Sequence, residues 1–150
     1  MGISSFNNSI MEDITMAVEQ LIRTEQDGSL SFGNHTLAEK AKLEDYKYGG
    51  DLMKVKTHKP MTKLEKNGLF VYESVPGTSV YNFVENEDGV SFKVEGAEDA
   101  QIVIGLEENA EYEVIVGGNS SGVMATNMGG KLSLNVELGE AVADIVIKKA

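Results

Sequence analysis

Residues 62–74 read TKLEKNGLFVYES, and this stretch decides the fold. Two short runs, Thr62 to Lys66 and Leu69 to Ser74, flank Asn67-Gly68. A two-residue hairpin turn needs both central residues at positive φ, and Asn followed by Gly meets that need at least cost. Side chains two apart on a strand share a face, so Phe70 and Tyr72 point the same way. A β-hairpin follows from these residues alone.

Working outward, the same pattern repeats. Upstream, Ala41 to Tyr48 and Asp51 to Thr57 flank Gly49-Gly50, a second hairpin signal. Met53, Val55 and Thr57 share one face while Lys54 and Lys56 take the other, and Pro60 ends the run. Ser29 to Phe32 reads as a strand, and 34–40 fits either an irregular strand or a turn of helix. Downstream, Val75-Pro76-Gly77-Thr78 has the composition of a type II turn. Val80 to Val84 and Val90 to Val94 then flank the acidic turn 85–89. Ile102, Ile104 and Leu106 alternate, as do Tyr112, Val114 and Val116, then Leu132, Leu134 and Val136; Val142 to Ile147 closes the chain. Strands recurring every 8–12 residues or so, with turns between, predict a β-sandwich or barrel.

One segment departs from this period. Ser9 and Glu12 form a capping-box pattern, and Met11, Ile14, Val18 and Leu21 follow at helical spacing. An amphipathic helix is therefore expected from about Ile10 to Arg23. It either lies across the β-domain or pairs with its own copy through Met11, Ile14, Val18 and Leu21, an oligomer interface too short to stand as an independent coiled coil. The expected domains are 1–26, a polar segment with this helix, and 27–150, a β-domain with a sub-boundary near 75–89.

Composition narrows the chemistry. The 150 residues carry 13 basic and 24 acidic side chains, a formal charge of −11, with no Cys. This balance opposes nucleic acid and anionic membranes. Without Cys there is no disulfide, thiolate metal site or cysteine nucleophile. The sequence shows neither a signal peptide nor a long apolar run, so a cytoplasmic protein is expected. His35 and His58 lie 23 residues apart without metal-ligand spacing. The acidic loops lack the residue order of a calcium loop. No metal or cofactor is expected. Gly118 to Gly122 matches G-x-S-x-G, but the residues after it are strand-like and both histidines lie upstream, so it reads as a hairpin loop.

The stretch from Leu106 to Val114 (LEENAEYEV) resembles the tyrosine corner of immunoglobulin-like and fibronectin type III domains. The resemblance covers about 89–149. It implies an immunoglobulin-like β-sandwich and carries no activity. Within 27–82, DGSLSFG, GDLMKVK, TKLEKNG and LFVYESVPGT are similar to a family of small bacterial proteins, some carrying an "endosialidase" label. That label implies sialidase chemistry. Sialidases generally hold the substrate carboxylate with three arginines, and this chain has Arg23 alone.

These observations predict a mainly β, immunoglobulin-like sandwich with one N-terminal helix. No catalytic constellation stands out. Three functions are in play: a non-enzymatic module for protein contact or self-association, a carbohydrate-binding module and a glycosidase. The carbohydrate reading uses exposed aromatics at Tyr46, Tyr48, Tyr72 and Tyr81. Core is the competing reading for the same rings, as it is for Phe32, Phe70, Phe83 and Phe92.

Overall fold

The structure, a computed structural model, describes residues 18–139 and 141–150. Thirteen strands and no helix occur among them. The strands are β1 (Ile22–Thr24), β2 (Leu30–Phe32), β3 (Ala41–Tyr48), β4 (Asp51–His58), β5 (Met61–Lys66), β6 (Leu69–Val75) and β7 (Ser79–Asn86). After these come β8 (Gly89–Glu95), β9 (Ala100–Gly105), β10 (Glu111–Val116), β11 (Asn119–Ala125), β12 (Lys131–Val136) and β13 (Ala143–Lys149). They form two antiparallel sheets: seven strands in the order β1-β2-β7-β8-β13-β10-β11, and six in the order β12-β9-β6-β5-β4-β3.

The hairpins are where the turn residues place them. Asn67 and Gly68 take φ of 52° and 81°, and Gly49 and Gly50 take 56° and 90°. Strands β3 to β6 then run as a meander in the six-stranded sheet. The passage into the other sheet follows Val75-Pro76; Gly77 does not take the positive φ that position i+2 of a type II turn requires, so the type II turn expected there is not the turn formed. From β8 onward the chain switches sheets repeatedly, and β13 returns to lie between β8 and β10.

Alternation supplies the core. Phe32, Phe83 and Phe92 of the seven-stranded sheet meet Tyr72 of the six-stranded sheet, all four buried. Tyr72 packs edge-on against Phe32 and Phe92 at centroid distances of 5.3 and 5.8 Å. One buried cluster runs from Ile22 to Ile147 through both sheets. Phe70 is only half-buried, with the Lys131 ammonium 4.4 Å above its ring.

The N-terminal helix is not seen. Residues 10–17, with Met11 and Ile14, lie outside the described residues. From Val18 the chain is turn and then β1, not the end of a helix. The reason is tertiary pairing. Val18 N–H donates to the Gly33 carbonyl (3.1 Å) and Gly33 N–H to the Leu21 carbonyl (2.9 Å). These bonds bury Val18 completely and hold Leu21 at φ 70°, outside the helical region. Apolar residues at 3-4-3 spacing suit a loop entering a strand as well, and here the sheet supplies the partners. Val18 and the half-buried Leu21 therefore pack into their own domain. With β1 starting at Ile22, the seven-stranded sheet begins before residue 27.

Candidate functional site

The four tyrosines separate in space. Tyr72 is fully buried, and its hydroxyl lies 2.7 Å from Thr78 Oγ1. Burial holds its phenol far above the usual range, against smaller opposing effects of the Thr78 and Ser74 hydroxyls. It belongs to a chain of buried hydroxyls: Ser74 Oγ also meets Thr78 Oγ1 at 2.7 Å, and Thr62 Oγ1 donates to the Thr78 carbonyl at 2.7 Å. Thr57 Oγ1 lies 2.8 Å from Thr62 Oγ1 and accepts from Asn34 N–H. Buried side-chain polar atoms all have partners among the described residues, so this chain pins the end of the sandwich. Residue-type reasoning missed it, because a Thr or Ser on a strand reads equally well as a solvent-facing residue.

Tyr46 and Tyr48 are half-buried on β3 and reach across to the β1–β2 hairpin. The Tyr46 hydroxyl lies 2.9 Å from Thr24 Oγ1, and Tyr48 donates to the Gly28 carbonyl at 2.6 Å. They join the two sheets along one flank and do not form an open row of rings.

Tyr81 alone faces outward from the seven-stranded sheet. Val80 and Phe83 point inward, and between them the register of β7 slips against both β2 and β8. Asn82 is the extra residue, at φ 55°. This bulge sets Tyr81 opposite Lys93 of β8, and Lys93 opposite Asp144 of β13. Arg23 of β1 stands opposite Ser31 of β2. The result is a transverse polar row over five strands, about 19 Å at roughly 4.8 Å per strand. Arg23, Glu25, Tyr81, Asn82, Lys93 and Asp144 line a hollow of about 480 Å³ along it.

Charges in the hollow are paired. Arg23 Nε meets Glu25 Oε2 at 2.9 Å, and Ser31 Oγ donates to that same oxygen at 2.5 Å. Lys93 Nζ meets Asp144 Oδ1 at 2.8 Å. Asn82 donates from its amide to Ser31 Oγ (3.1 Å) and from Nδ2 to Ser29 Oγ (3.0 Å). Beneath them, Tyr81 donates a short hydrogen bond to Glu95. Burial first, then Glu95, pushes the Tyr81 phenol well above its ordinary value, so it stays protonated.

His35 and Ser79 form a pair that resembles a nucleophile and base, with Nδ1 and Oγ 2.7 Å apart. Ser79 is completely buried and its Oγ also accepts from the His35 amide at 3.3 Å. A nucleophile must reach its substrate; this hydroxyl is a structural joint.

The opposite flank is built from different material. β11 and β12 are the terminal strands of the two sheets and lie on the same side of the sandwich. The seventeen residues 114–130 contain no charged side chain, the longest such run in the chain. Within it Val123 is 57% and Met128 82% exposed. β12 is paired with β9 in unbroken register over Lys131–Val136, which leaves its other edge open. No helix among the described residues is long and apolar enough to cross a membrane. No three or more His, Asp or Glu residues gather as a metal site among the described residues.

No protein-family model, no curated protein and no solved structure matches this chain.

Proposed function

We propose that the chain is a non-enzymatic β-sandwich module that works by self-association, and that its contact surface is the flank formed by β11 and β12. The observation that carries this reading is the charge-free run 114–130 along an open sheet edge in a chain of net charge −11. Two copies repel each other over most of their surfaces, and here they meet without carboxylates opposed. An unpaired strand edge offers backbone N–H and C=O groups to a second strand, and natural sheets usually guard such edges with charge. The second copy is the occupant because a self-complementary two-fold contact brings the uncharged edge against itself. A bulge on β11 at Ser121–Gly122 interrupts that strand, so the regular β12 next to the run, which carries Lys131 but no carboxylate, is the better template for pairing.

Tyr112 supports an immunoglobulin-like reading of the architecture. It opens β10 after the crossing from β9, and its hydroxyl accepts from Glu107 N–H at 3.3 Å.

Light scattering across a wide concentration range tests the function. The full chain forms dimers, and Val123→Glu with Met128→Glu shifts it towards monomer with unchanged far-UV circular dichroism. A wild-type chain that stays monomeric throughout, or a dimer indifferent to both substitutions, overturns the reading.

A further inference from the structure

From the transverse hollow on the outer face of the seven-stranded sheet, we infer a binding groove for a neutral glycan chain, separate from the β11–β12 flank. Three independent features converge there. The first is shape: the Asn82 bulge interrupts the sheet face, and Asn82 lines a hollow of about 480 Å³. Bulges re-aim side chains and are over-represented beside binding and active sites. Asn at positive φ is also a conformation that is held at some cost and that clusters at such sites.

The second feature is chemistry. Sugar hydroxyls each donate and accept, so a matching surface alternates strong donors with strong acceptors. Along the row stand Arg23 and Glu25, then Asn82, then Lys93 and Asp144. Ionised donors and acceptors make the stronger hydrogen bonds to a neutral hydroxyl. The Lys93–Asp144 pair is half-exposed or more at both side chains, so a ligand can reach it without unburying anything.

The third feature is charge balance. Two cations face two anions within the hollow, and Glu95 lies beneath Tyr81. A phosphate or a sugar acid would find its cations already paired with carboxylates. A neutral glycan would not. Tyr81 forms the floor: its hydroxyl is held by Glu95, and the residue is 8% exposed, so it shapes the groove more than it stacks.

Backbone-amide NMR titration of the full chain tests this, using cellohexaose, xylohexaose and mannohexaose as neutral probes and oligogalacturonate and oligosialic acid as charged ones. At least one neutral hexaose shifts the amides of Arg23, Tyr81, Asn82 and Lys93 and leaves Val123 unmoved. Lys93→Ala and Asp144→Ala, both on the exposed surface, each weaken that binding roughly tenfold, the share carried by one charge-assisted hydrogen bond. Asp144→Asn keeps part of it by retaining an acceptor. Silence from all three neutral probes, shifts that map elsewhere, or binding of the charged probes alone overturns the inference. Because the readout is residue-specific, failure here leaves the self-association of the β11–β12 flank untouched, and the reverse also holds.

Discussion

Where β1 meets β3, the gap between the sheets is crossed by side chains: Tyr46 bonds to Thr24 and Tyr48 to the Gly28 carbonyl. β3 carries Lys42, Glu44, Asp45 and Lys47, and a bulge with Asp45 at φ 58° bends its free edge. Where β11 meets β12, the gap is crossed by the turn 126–130, and the two edge strands carry no carboxylate, only Lys131 at the start of β12. Both flanks are ends of the same two sheets, so topology does not explain the contrast. Side-chain choice does. Charge and irregularity are the usual means of keeping an edge from pairing, and the chain applies them to β3 while leaving β12 regular.

The strongest way to break this comparison is to deform the backbone at each flank. Gly33 (φ 95°) lies near β1, and a Cβ there would sit 2.6 Å from the Thr78 carbonyl oxygen. Gly130 (φ 77°) leads into β12, and a Cβ there would press on the Leu106 carbonyl oxygen. Each combines a backbone conformation that suits glycine with contact against immovable main chain. Gly33→Ala and Gly130→Ala should each lower unfolding stability by about 2–3 kcal/mol in urea titrations. Equal losses would mean that both flanks are integral to one cooperative unit. If Gly130→Ala were as mild as a surface substitution, β12 would be a loosely attached strand and a poor template for a partner.

Single hydroxyls sharpen the contrast. Thr126 Oγ1 donates to the Glu107 carbonyl at 2.7 Å and accepts from Ala110 N–H at 3.0 Å, and the residue is buried. Thr126→Val strands both groups and should cost about 1–2 kcal/mol. Tyr48→Phe removes one bond on the other flank in a partly exposed site, where water replaces it, so the expected loss is under about 1 kcal/mol. Chemical denaturation of the two variants side by side checks the order. The opposite order would show that the tyrosines, and not the 126–130 turn, carry the attachment between sheets.

Some of this was readable without coordinates. Asn67-Gly68 and Gly49-Gly50 locate their hairpins because left-handed backbone is a local demand that few residues satisfy. The inward set Met53, Val55, Ile102, Ile104, Leu132 and Leu134 follows from alternation and is buried. The helix over Ile10–Arg23 misled for Val18 onward because periodicity does not register a partner as distant as Gly33. The hollow was least legible. Its residues come from four strands and the segment after β1, brought together by register and by a bulge at Asn82 that no local signal announces. In sequence Tyr81 reads as one aromatic among several and Arg23 as a lone guanidinium; their shared neighbourhood is a property of the strand order.

The smallest expected effect concerns pH, at the end of the sandwich that the buried hydroxyls pin. His35 is half-buried beside Asn34, and its ring Nδ1 lies 2.7 Å from Ser79 Oγ. The His35 amide donates to that same oxygen. Burial lowers the pKa of His35 below the ordinary 6.5, and Glu95 offsets part of that. The unfolded chain therefore takes up this proton at higher pH than the folded one does. Stability from this group is complete above about 6.5 and falls as pH drops through the lowered folded value. Thermal midpoints of the wild type should decline over this window, and His35→Gln, which keeps a side-chain acceptor without titrating, should flatten the decline. A steeper decline in the variant would show that protonated His35 is welcomed beside Glu95. That end of the sandwich would then gain stability from acid, and the contrast between the flanks, which shares one cooperative unit with it, would have to be drawn at a stated pH.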